Sequence, residues 1–443
     1  MPKRSLSRRA VLQSSLAAVV AGTAVQGSAA LAASASPMER AKQFPLRAKT
    51  RDRVLAGHEA ILDELKPSRA QLERGLELHY HSPVADMQGN VSVTYEGGLV
   101  SDRLAAAKGL DPFKARTFES AFDPQWIAES RALYAIAGVQ VASEDVAHPG
   151  ENDFDSALRL LARSNYVYER RPDLVRVGGW DDVEQAQREG KVSVMAHLAG
   201  VGCFAEADNP LANLDLFYLL GVRMSQLTYI QKNKLCSSWF QEEDTGLTEL
   251  GRRIVRRMNQ LGIMVDLAHC GPRSALEAVD ASTEPAIVSH TGCQALYDHR
   301  ADDTYVNAVL AQPYARGVAR PRKTNPINAS DELLRAVAKK GGVVGLFVMY
   351  HLLAKDSPSF AGWWRHMEHL IQTAGIDHAA VGSDFGFLPG WKTSPLDWTN
   401  WPYWTVGLVC RGLSDEEIRK IIGGNYLRYA KQVLNKRPWG DVM

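Results

Sequence analysis

The chain has 443 residues, of which 45% are hydrophobic and 23% are charged. These proportions are typical of a globular protein and exclude disordered, collagen-like and coiled-coil classes. Its 51 Lys and Arg residues nearly balance 50 Asp and Glu residues, so the formal net charge is +1. We therefore expect neither nucleic acid nor an anionic membrane surface as a partner. The five cysteines lack the spacing of a disulfide framework or a zinc finger.

The first 35 residues are predicted to be an export signal. Arg8 and Arg9 precede a weakly apolar stretch rich in Ala, Ser and Gly, and Ala-x-Ala spacing follows at its end. This order is that of a secretory signal peptide, and the arginine pair resembles the twin-arginine signal. It predicts export by the twin-arginine machinery to the periplasm, with residues 36–443 as one domain. The alternative is a permanent membrane-spanning helix, because spanning helices need about 20 apolar residues.

After a polar, helix-like segment over residues 39–78, short apolar runs alternate with amphipathic segments. The runs predicted as strands are Val192–Ala199, Val222–Tyr229, Ile263–His269, Pro285–His290, Val343–Met349 and Ala379–Asp384. The predicted helices are Thr248–Leu261, Asp331–Lys340 and Asp415–Leu434, the last with Ser414 and Glu417 at capping-box spacing. Repeated strand–helix units indicate buried parallel strands. The predicted fold is α/β, a (β/α)8 TIM-type barrel rather than a doubly wound sheet.

Two segments interrupt this alternation. Thr304–Asn328 is rich in Pro, Arg and Asn and is predicted to be a loop insertion. Leu388–Tyr403, with four tryptophans in or beside it, is predicted to be a capping loop. Its tryptophans either face a substrate as a lid or pack in the interior.

Three of the predicted strands end in a side chain that binds metals. These side chains are His269, His290 and Asp384. In a parallel barrel the carboxyl ends of the strands meet on one face, where active sites are built. Two imidazoles and a carboxylate on that face are suitable ligands for Zn²⁺.

Several segments resemble the signature of a known family: Gly246–Gly251 through Met258-Asn259 to Asp266–His269, then Pro285–Thr291, Asp331–Gly345, Gly375–Phe385 and Gly423–Arg428. The sequence resembles the membrane (renal) dipeptidases, metallopeptidase family M19 of the amidohydrolase superfamily, over about residues 70–435. The resemblance implies a (β/α)8 barrel and, in typical members, two zinc ions that hydrolyse dipeptides, including dehydropeptides and dipeptides with a D-residue.

The chain departs from that family at several metal positions. Gln88 and Asn90 stand where the family has a His-x-Asp pair, and Ala199 aligns with the bridging glutamate, within about one residue. Tyr229 replaces a substrate-contacting histidine. Neutral amides are poor zinc ligands. We therefore expect one zinc ion or none, held by His269 and His290, with Asp384 as a ligand or as the base that activates water.

Three further assignments are weaker. His197 shares strand parity with position 199, so it is either a replacement ligand or a core histidine. For substrate binding, Arg322 matches the family's carboxylate-binding arginine and Arg300 is a second candidate; either could be a surface arginine. Tyr229 either hydrogen-bonds a developing oxyanion or packs.

These observations predict an exported, dipeptidase-like metallohydrolase that cleaves an amide bond in a small peptide-like substrate. Two alternatives stay open. The chain could be a family member without peptidase activity that binds or matures a peptide-like metabolite, or it could be another hydrolase or a lyase. A homodimer is expected only by analogy with similar barrels.

Overall fold

The computed structural model describes residues 36–89, 124–147, 154–301, 304–311, 315, 318–349, 352–354, 359–384 and 396–436. The predicted export signal and Asn90 lie outside these ranges. Within them, no helix combines the length and the apolar character that crossing a bilayer requires.

Parallel strands form a barrel. They are β1 Ala85–Gly89, β2 Val141–Ala147, β3 Leu174–Arg176, β4 Val192–Leu198, β5 Val222–Gln226, β6 Met264–Asp266, β7 Ile287–Thr291, β8 Val343–Leu346 and β9 Ala379–Val381. The described strands pair in the order β1-β2-β4-β5-β6-β7-β8-β9, and the short β3 pairs with β4 outside this order. Just beyond β9, the backbone N–H of Asp384 donates to the carbonyl oxygen of Gln88 over 2.9 Å. The (β/α)8 prediction is confirmed.

Helices follow most of the strands. They are α1 Pro37–Gln43, α2 Ala48–Leu65, α3 Arg69–Tyr80, α4 Pro124–Ala137, α5 Phe154–Arg170, α6 Trp180–Glu189, α7 Gly202–Ala205, α8 Pro210–Leu219, α9 Glu249–Leu261, α10 Pro272–Ala281, α11 Thr304–Leu310, α12 Asp331–Lys339, α13 Phe360–Ala374, α14 Trp401–Cys410, α15 Asp415–Arg419 and α16 Asn425–Leu434. A π-helical turn, Lys420–Gly424, joins the last two. The predicted capping box of Ser414 and Glu417 is present.

The loop predictions for segments 304–328 and 388–403 were wrong in part. The segment 304–328 contains α11, because Tyr305, Val306 and Val309 give it a buried apolar face. The described end of segment 388–403 forms a 3-10 turn, Trp398–Asn400, and the start of α14. Of its tryptophans, Trp398, Trp401 and Trp404 are buried, so these three pack in the interior.

The barrel interior changes from apolar to polar along the strands. A lower layer of buried side chains contains Val141, Met195, Met224, Met264, Ile287 and Val343. The Tyr426 hydroxyl of α16 closes this end, 2.6 Å from Ser143 Oγ. Because side chains alternate along a strand, the residues two positions further on also point inward. Those residues are Ser143, His197, Gln226, Asp266, Ser289 and Gly345, and because five of the six have polar side chains, the mouth of the barrel is polar.

A buried histidine outside the barrel makes stability depend on pH. His79 Nε2 donates to the Ala137 carbonyl over 2.8 Å, and Thr405 Oγ1 lies 2.8 Å from Nδ1. Burial lowers the pKa of His79 from 6.5 to about 3, although the Ala137 hydrogen bond raises it. Stability from this histidine is therefore fully present above pH 6.5 and is lost as the pH falls toward 3.

Between pH 7 and pH 5, His79 is expected to reduce the free energy of unfolding by about 2 kcal/mol, because only the unfolded chain takes up the proton. Urea unfolding at both pH values measures this loss, and the variant His79→Gln should show a smaller one. His81→Gln, an exposed position next to the same helix, is the control. Equal losses in all three proteins would contradict the assignment.

Candidate active site

Two histidines face each other at the mouth of the barrel. His269 follows β6 and His290 lies in β7, and their Nε2 atoms are 2.9 Å apart. Each residue is 7% exposed. His269 has φ of 64° and Asp384 has φ of 49°. Positive φ is uncommon for residues other than glycine and is often found at functional sites. The chain therefore turns sharply at both strand ends to bring these side chains to the mouth.

A carboxylate and a serine support His290. Ser289 donates to Asp266 twice, from its backbone N–H to Oδ1 over 2.8 Å and from Oγ to Oδ2 over 2.5 Å. The same Ser289 Oγ lies 2.8 Å from Nδ1 of His290. His269 has no such support, since its Nδ1 is buried without a hydrogen-bond partner among the described residues.

The same arrangement holds Asp384, which follows β9, two strands from the strand of His290 in the barrel order. Ser383 donates to Asp86 from its backbone N–H over 2.8 Å and from Oγ over 2.5 Å. Trp398 Nε1 also donates to Asp86, over 3.2 Å. In both pairs a buried aspartate at one strand fixes the serine that precedes a candidate site residue on another strand.

His197 lies between these two supports. Its Nδ1 is 2.7 Å from Gln88 Oε1 and 3.3 Å from Asp145 Oδ1, and its Nε2 is 3.2 Å from Asp266 Oδ2. The residue is completely buried. It points into the interior, as its strand parity predicts, and its ring links three strands.

Asp145 is the site residue that sequence reasoning missed. It lies in β2, whose sequence VASEDVA is not a continuous apolar run. The available signal was alternation, because Asp145 has the same parity as Val141 and Ser143 and must point inward with them. Its side chain is 27% exposed, while Oδ1 is buried and makes no hydrogen bond in the described structure.

Burial and neighbouring charges set the protonation states. Burial raises the pKa of Asp145 to about 6, against the lowering charges of His197 and His290. Burial would also raise the pKa of Asp266, but the hydrogen bond and charge of His197 and the charge of His290 lower it to about 2. Burial, with the charge of His290, holds the pKa of His269 well below 6.5. Asp266 is therefore ionised and His269 is neutral at pH 7.

The sequence model of membrane dipeptidases (peptidase family M19) matches residues 128–312 and 312–438. This chain belongs to the membrane dipeptidase family. Dipeptidase tcpJ of Claviceps purpurea is 28% identical over 64% of this chain and 63% of its own length. Dipeptidase 3 of Rattus norvegicus is 25% identical over 59% of this chain and 49% of its own length. The chain thus spans less than two thirds of the length of these curated relatives.

Two solved structures share the fold. An amidohydrolase from Pseudomonas aeruginosa superimposes with a TM-score of 0.59 at 23% identity, covering 81% of this chain and 99% of that one. A metallopeptidase from Rhodobacter sphaeroides, solved with a phosphinate mimic of L-Ala-D-Ala, gives a TM-score of 0.58 at 19% identity, covering 80% and 99%. These matches agree with the barrel fold of this dipeptidase-family chain.

The two histidines of this family member fit one metal ion in part. Zinc–nitrogen bonds of about 2.0–2.1 Å place two tetrahedral nitrogen ligands about 3.3 Å apart, close to the observed 2.9 Å. His290 also has the support on its far nitrogen that metal-binding histidines typically have. Within the described ranges, however, no group of three or more His, Cys, Asp or Glu side chains converges closely enough to hold an ion.

Among the described residues, Gln88 and Ala199, at positions where the family binds metal, offer no free ligand atom. Gln88 Oε1 is engaged by His197 Nδ1, and Ala199 is buried and has no ligand atom in its side chain. Asn90, the remaining replaced position, lies outside the described residues. His197 lies in this part of the mouth as a core histidine whose Nδ1 is hydrogen-bonded to Gln88 and whose Nε2 lies 3.2 Å from Asp266 Oδ2.

The candidate substrate-binding residues differ in their distance from this centre. The ring of Tyr229 packs against the ring of His269, with centroids 4.3 Å apart. Arg322 is exposed, and its backbone N–H donates to Glu242 over 2.7 Å. Arg300 is also exposed and its Nε is 2.9 Å from Asp298 Oδ1. Only Tyr229 of the three has a contact with the histidine pair in the described structure.

Proposed function

We propose that this chain is a dipeptidase-like metallohydrolase that cleaves an amide bond in a small peptide-like substrate and uses one zinc ion. The observation that carries the proposal is the convergence of the His269 and His290 Nε2 atoms at the mouth of a dipeptidase-family barrel. These two residues would hold the ion. A bound Zn²⁺ would supply Lewis acidity and make water a better nucleophile at neutral pH.

The chain's own residues complete the mechanism. Asp384, held at the mouth by the bond from its backbone N–H to Gln88, either completes the metal site or accepts the proton of the attacking water. Tyr229, packed on His269, donates its hydroxyl hydrogen to the oxyanion that develops on the substrate carbonyl. Arg322 or Arg300 binds the substrate carboxylate, for which the planar guanidinium is suited.

The substrate class and the location are parts of the same proposal. A relative of the same fold was solved with a dipeptide mimic, which supports a small peptide-like substrate. The arginine pair and the apolar stretch within residues 1–35 support twin-arginine export to the periplasm. A homodimer is the proposed assembly by analogy with similar barrels.

One observation favours a second function. The Gln88 side chain is engaged by His197, and no group of three ligands converges among the residues that the structure describes. A family member that binds or matures a peptide-like metabolite without peptidase chemistry would need no complete site. Another hydrolase or lyase reaction is also compatible with this arrangement.

A dipeptide panel separates these functions. The purified mature protein, residues 36–443, is incubated with L,L- and L,D-dipeptides and with a dehydropeptide, and amine release is measured. We expect hydrolysis that a chelator reduces by at least about 100-fold and that one equivalent of Zn²⁺ restores, because the ion supplies most of the electrophilic stabilisation. Hydrolysis that chelation leaves unchanged, or no hydrolysis with one bound ion, would refute the metallopeptidase and favour the second function.

A further inference from the structure

Asp266 controls more than the position of Ser289. Its Oδ1 accepts the backbone N–H groups of Ala268 over 3.1 Å and Ser289 over 2.8 Å. Its Oδ2 faces Ser289 Oγ at 2.5 Å and His197 Nε2 at 3.2 Å. The residue is completely buried. The two backbone donors fix the orientation of the carboxylate, so only Oδ2 faces the serine hydroxyl.

The hydrogen bonds that run from Asp266 through Ser289 to His290 determine which ring nitrogen of neutral His290 carries the hydrogen. A carboxylate only accepts, and a serine hydroxyl has a single hydrogen to donate. Ser289 gives that hydrogen to Asp266, so Ser289 Oγ must act as an acceptor toward His290 Nδ1, 2.8 Å away. In its neutral form His290 therefore carries its hydrogen on Nδ1. Its Nε2 keeps a free electron pair that points at Nε2 of His269.

We propose that Asp266 is a positioning residue that acts through Ser289 to hold the hydrogen of His290 on Nδ1 and to present its Nε2 as a ligand. In the metal-free protein, His269 then donates its Nε2–H to His290 across the 2.9 Å contact. The Nδ1 of His269 makes no hydrogen bond in the described structure. No contact at Nδ1 therefore fixes which ring nitrogen of His269 carries the hydrogen. The consequence for metal binding rests on the proposed function, whereas the tautomer does not.

The second aspartate–serine pair provides a matched comparison. Asp86 holds Ser383 by the same two donors, N–H and Oγ, at the same distances of 2.8 and 2.5 Å. The residue after Ser383 is Asp384, which has no ring nitrogen. Asp86 therefore fixes a strand end without setting a tautomer.

The variant Asp266→Asn reverses the chain of hydrogen bonds. The two backbone donors hold the asparagine carbonyl oxygen at the Oδ1 position, so the amide nitrogen replaces Oδ2 and donates to Ser289 Oγ. The Ser289 hydroxyl hydrogen is then available to donate to His290 Nδ1, and the hydrogen of His290 is expected to move to Nε2. The expected tautomers are His290 with its hydrogen on Nε2 and His269 with its hydrogen on Nδ1, the opposite of the wild type.

Long-range proton–nitrogen NMR of ¹⁵N-histidine-labelled, metal-free protein measures both tautomers directly. In the same variant, zinc affinity measured by chelator competition is expected to fall about 10- to 100-fold, the usual effect of changing a group that orients a ligand. Ser289→Ala should also lose the fixed tautomer, and Ser289→Thr, which keeps a hydroxyl, should retain it. Asp86→Asn should leave the His290 tautomer unchanged.

His290 with its hydrogen on Nδ1 in Asp266→Asn, or on Nε2 in the wild type, would overturn the proposal. A change in Asp86→Asn equal to that in Asp266→Asn would overturn it too, since a general loosening of the mouth would then explain both. Because the tautomers are read without metal or substrate, a protein that lacks peptidase activity still gives a decisive answer. Failure of the proposed function is seen separately, in the absence of zinc or of hydrolysis.

Discussion

Zinc content is expected to fall from about one ion per chain in the wild type to none in His269→Asn, and hydrolysis is expected to fall by more than about 100-fold. The effect is large because changing even the groups that orient a ligand costs 10- to 100-fold, and here one of two converging imidazoles is removed. Asparagine is chosen because His269 has φ of 64°, a conformation that asparagine adopts more readily than alanine does.

Elemental analysis of protein purified without chelator measures the metal, and the dipeptide assay measures the activity. His81→Asn removes an exposed histidine at the end of α3 and is the matched control. Two ions per chain in the wild type would show that the half of the mouth around Gln88 and His197 holds metal. A wild type without zinc would remove the basis of the hydrolase mechanism.

Much of the barrel could be predicted because its strands are buried on both faces and read as apolar runs. The runs at Val192, Val222, Ile263, Pro285, Val343 and Ala379 each contain a strand, and every one of these strands except β7 ends before its run does. The ends are shorter because the chain turns toward the mouth there, as the positive φ of His269 and Asp384 shows. The residues with metal-binding side chains lie at or just beyond these ends.

The strands β2 and β3 did not follow this rule. The first is polar at Ser143, Glu144 and Asp145, and the second has only three residues. Glu144 is buried with its carboxylate 2.5 Å from the hydroxyl of Tyr168, so tertiary contacts compensate for polarity that argues against a strand locally. The interior position of Asp145 could not be predicted without knowing that this segment is a strand.

The sequence predicts the direction of the His197 side chain but not its hydrogen-bond partners. Strand parity places its ring inside the barrel, but its partners Gln88, Asp145 and Asp266 come from three other strands. Their approach depends on the register of the closed barrel, which periodicity along one strand does not contain. The arrangement around Gln88 is therefore a property of the packed mouth, which one strand's sequence does not specify.

Replacing His197 by leucine is expected to lower the free energy of unfolding by about 3–5 kcal/mol at pH 7, because the buried carboxylate of Asp266 loses the imidazole beside it and Gln88 loses a hydrogen bond. Leucine fills a similar volume but has no nitrogen to hydrogen-bond Gln88 or to lie beside the Asp266 carboxylate. It also leaves Asp145 and Asp266 at the mouth without the imidazole that separates them. Urea unfolding in the presence of a chelator measures this loss without any contribution from metal.

Two comparisons decide whether His197 acts as a link between carboxylates or as a metal ligand. His58→Leu removes a buried histidine whose Nε2 bonds the Thr399 carbonyl, and it is expected to cost less, about 1–3 kcal/mol. Adding Asp145→Asn to His197→Leu should recover part of the lost free energy of unfolding, because one of the two carboxylates left without the imidazole is then neutral. A double-mutant cycle isolates that coupling. Zinc content should stay at one ion per chain in His197→Leu. A variant that loses an ion, or that unfolds no more easily than His58→Leu, would instead assign His197 to the metal, since a ligand's contribution to stability vanishes when chelator is present.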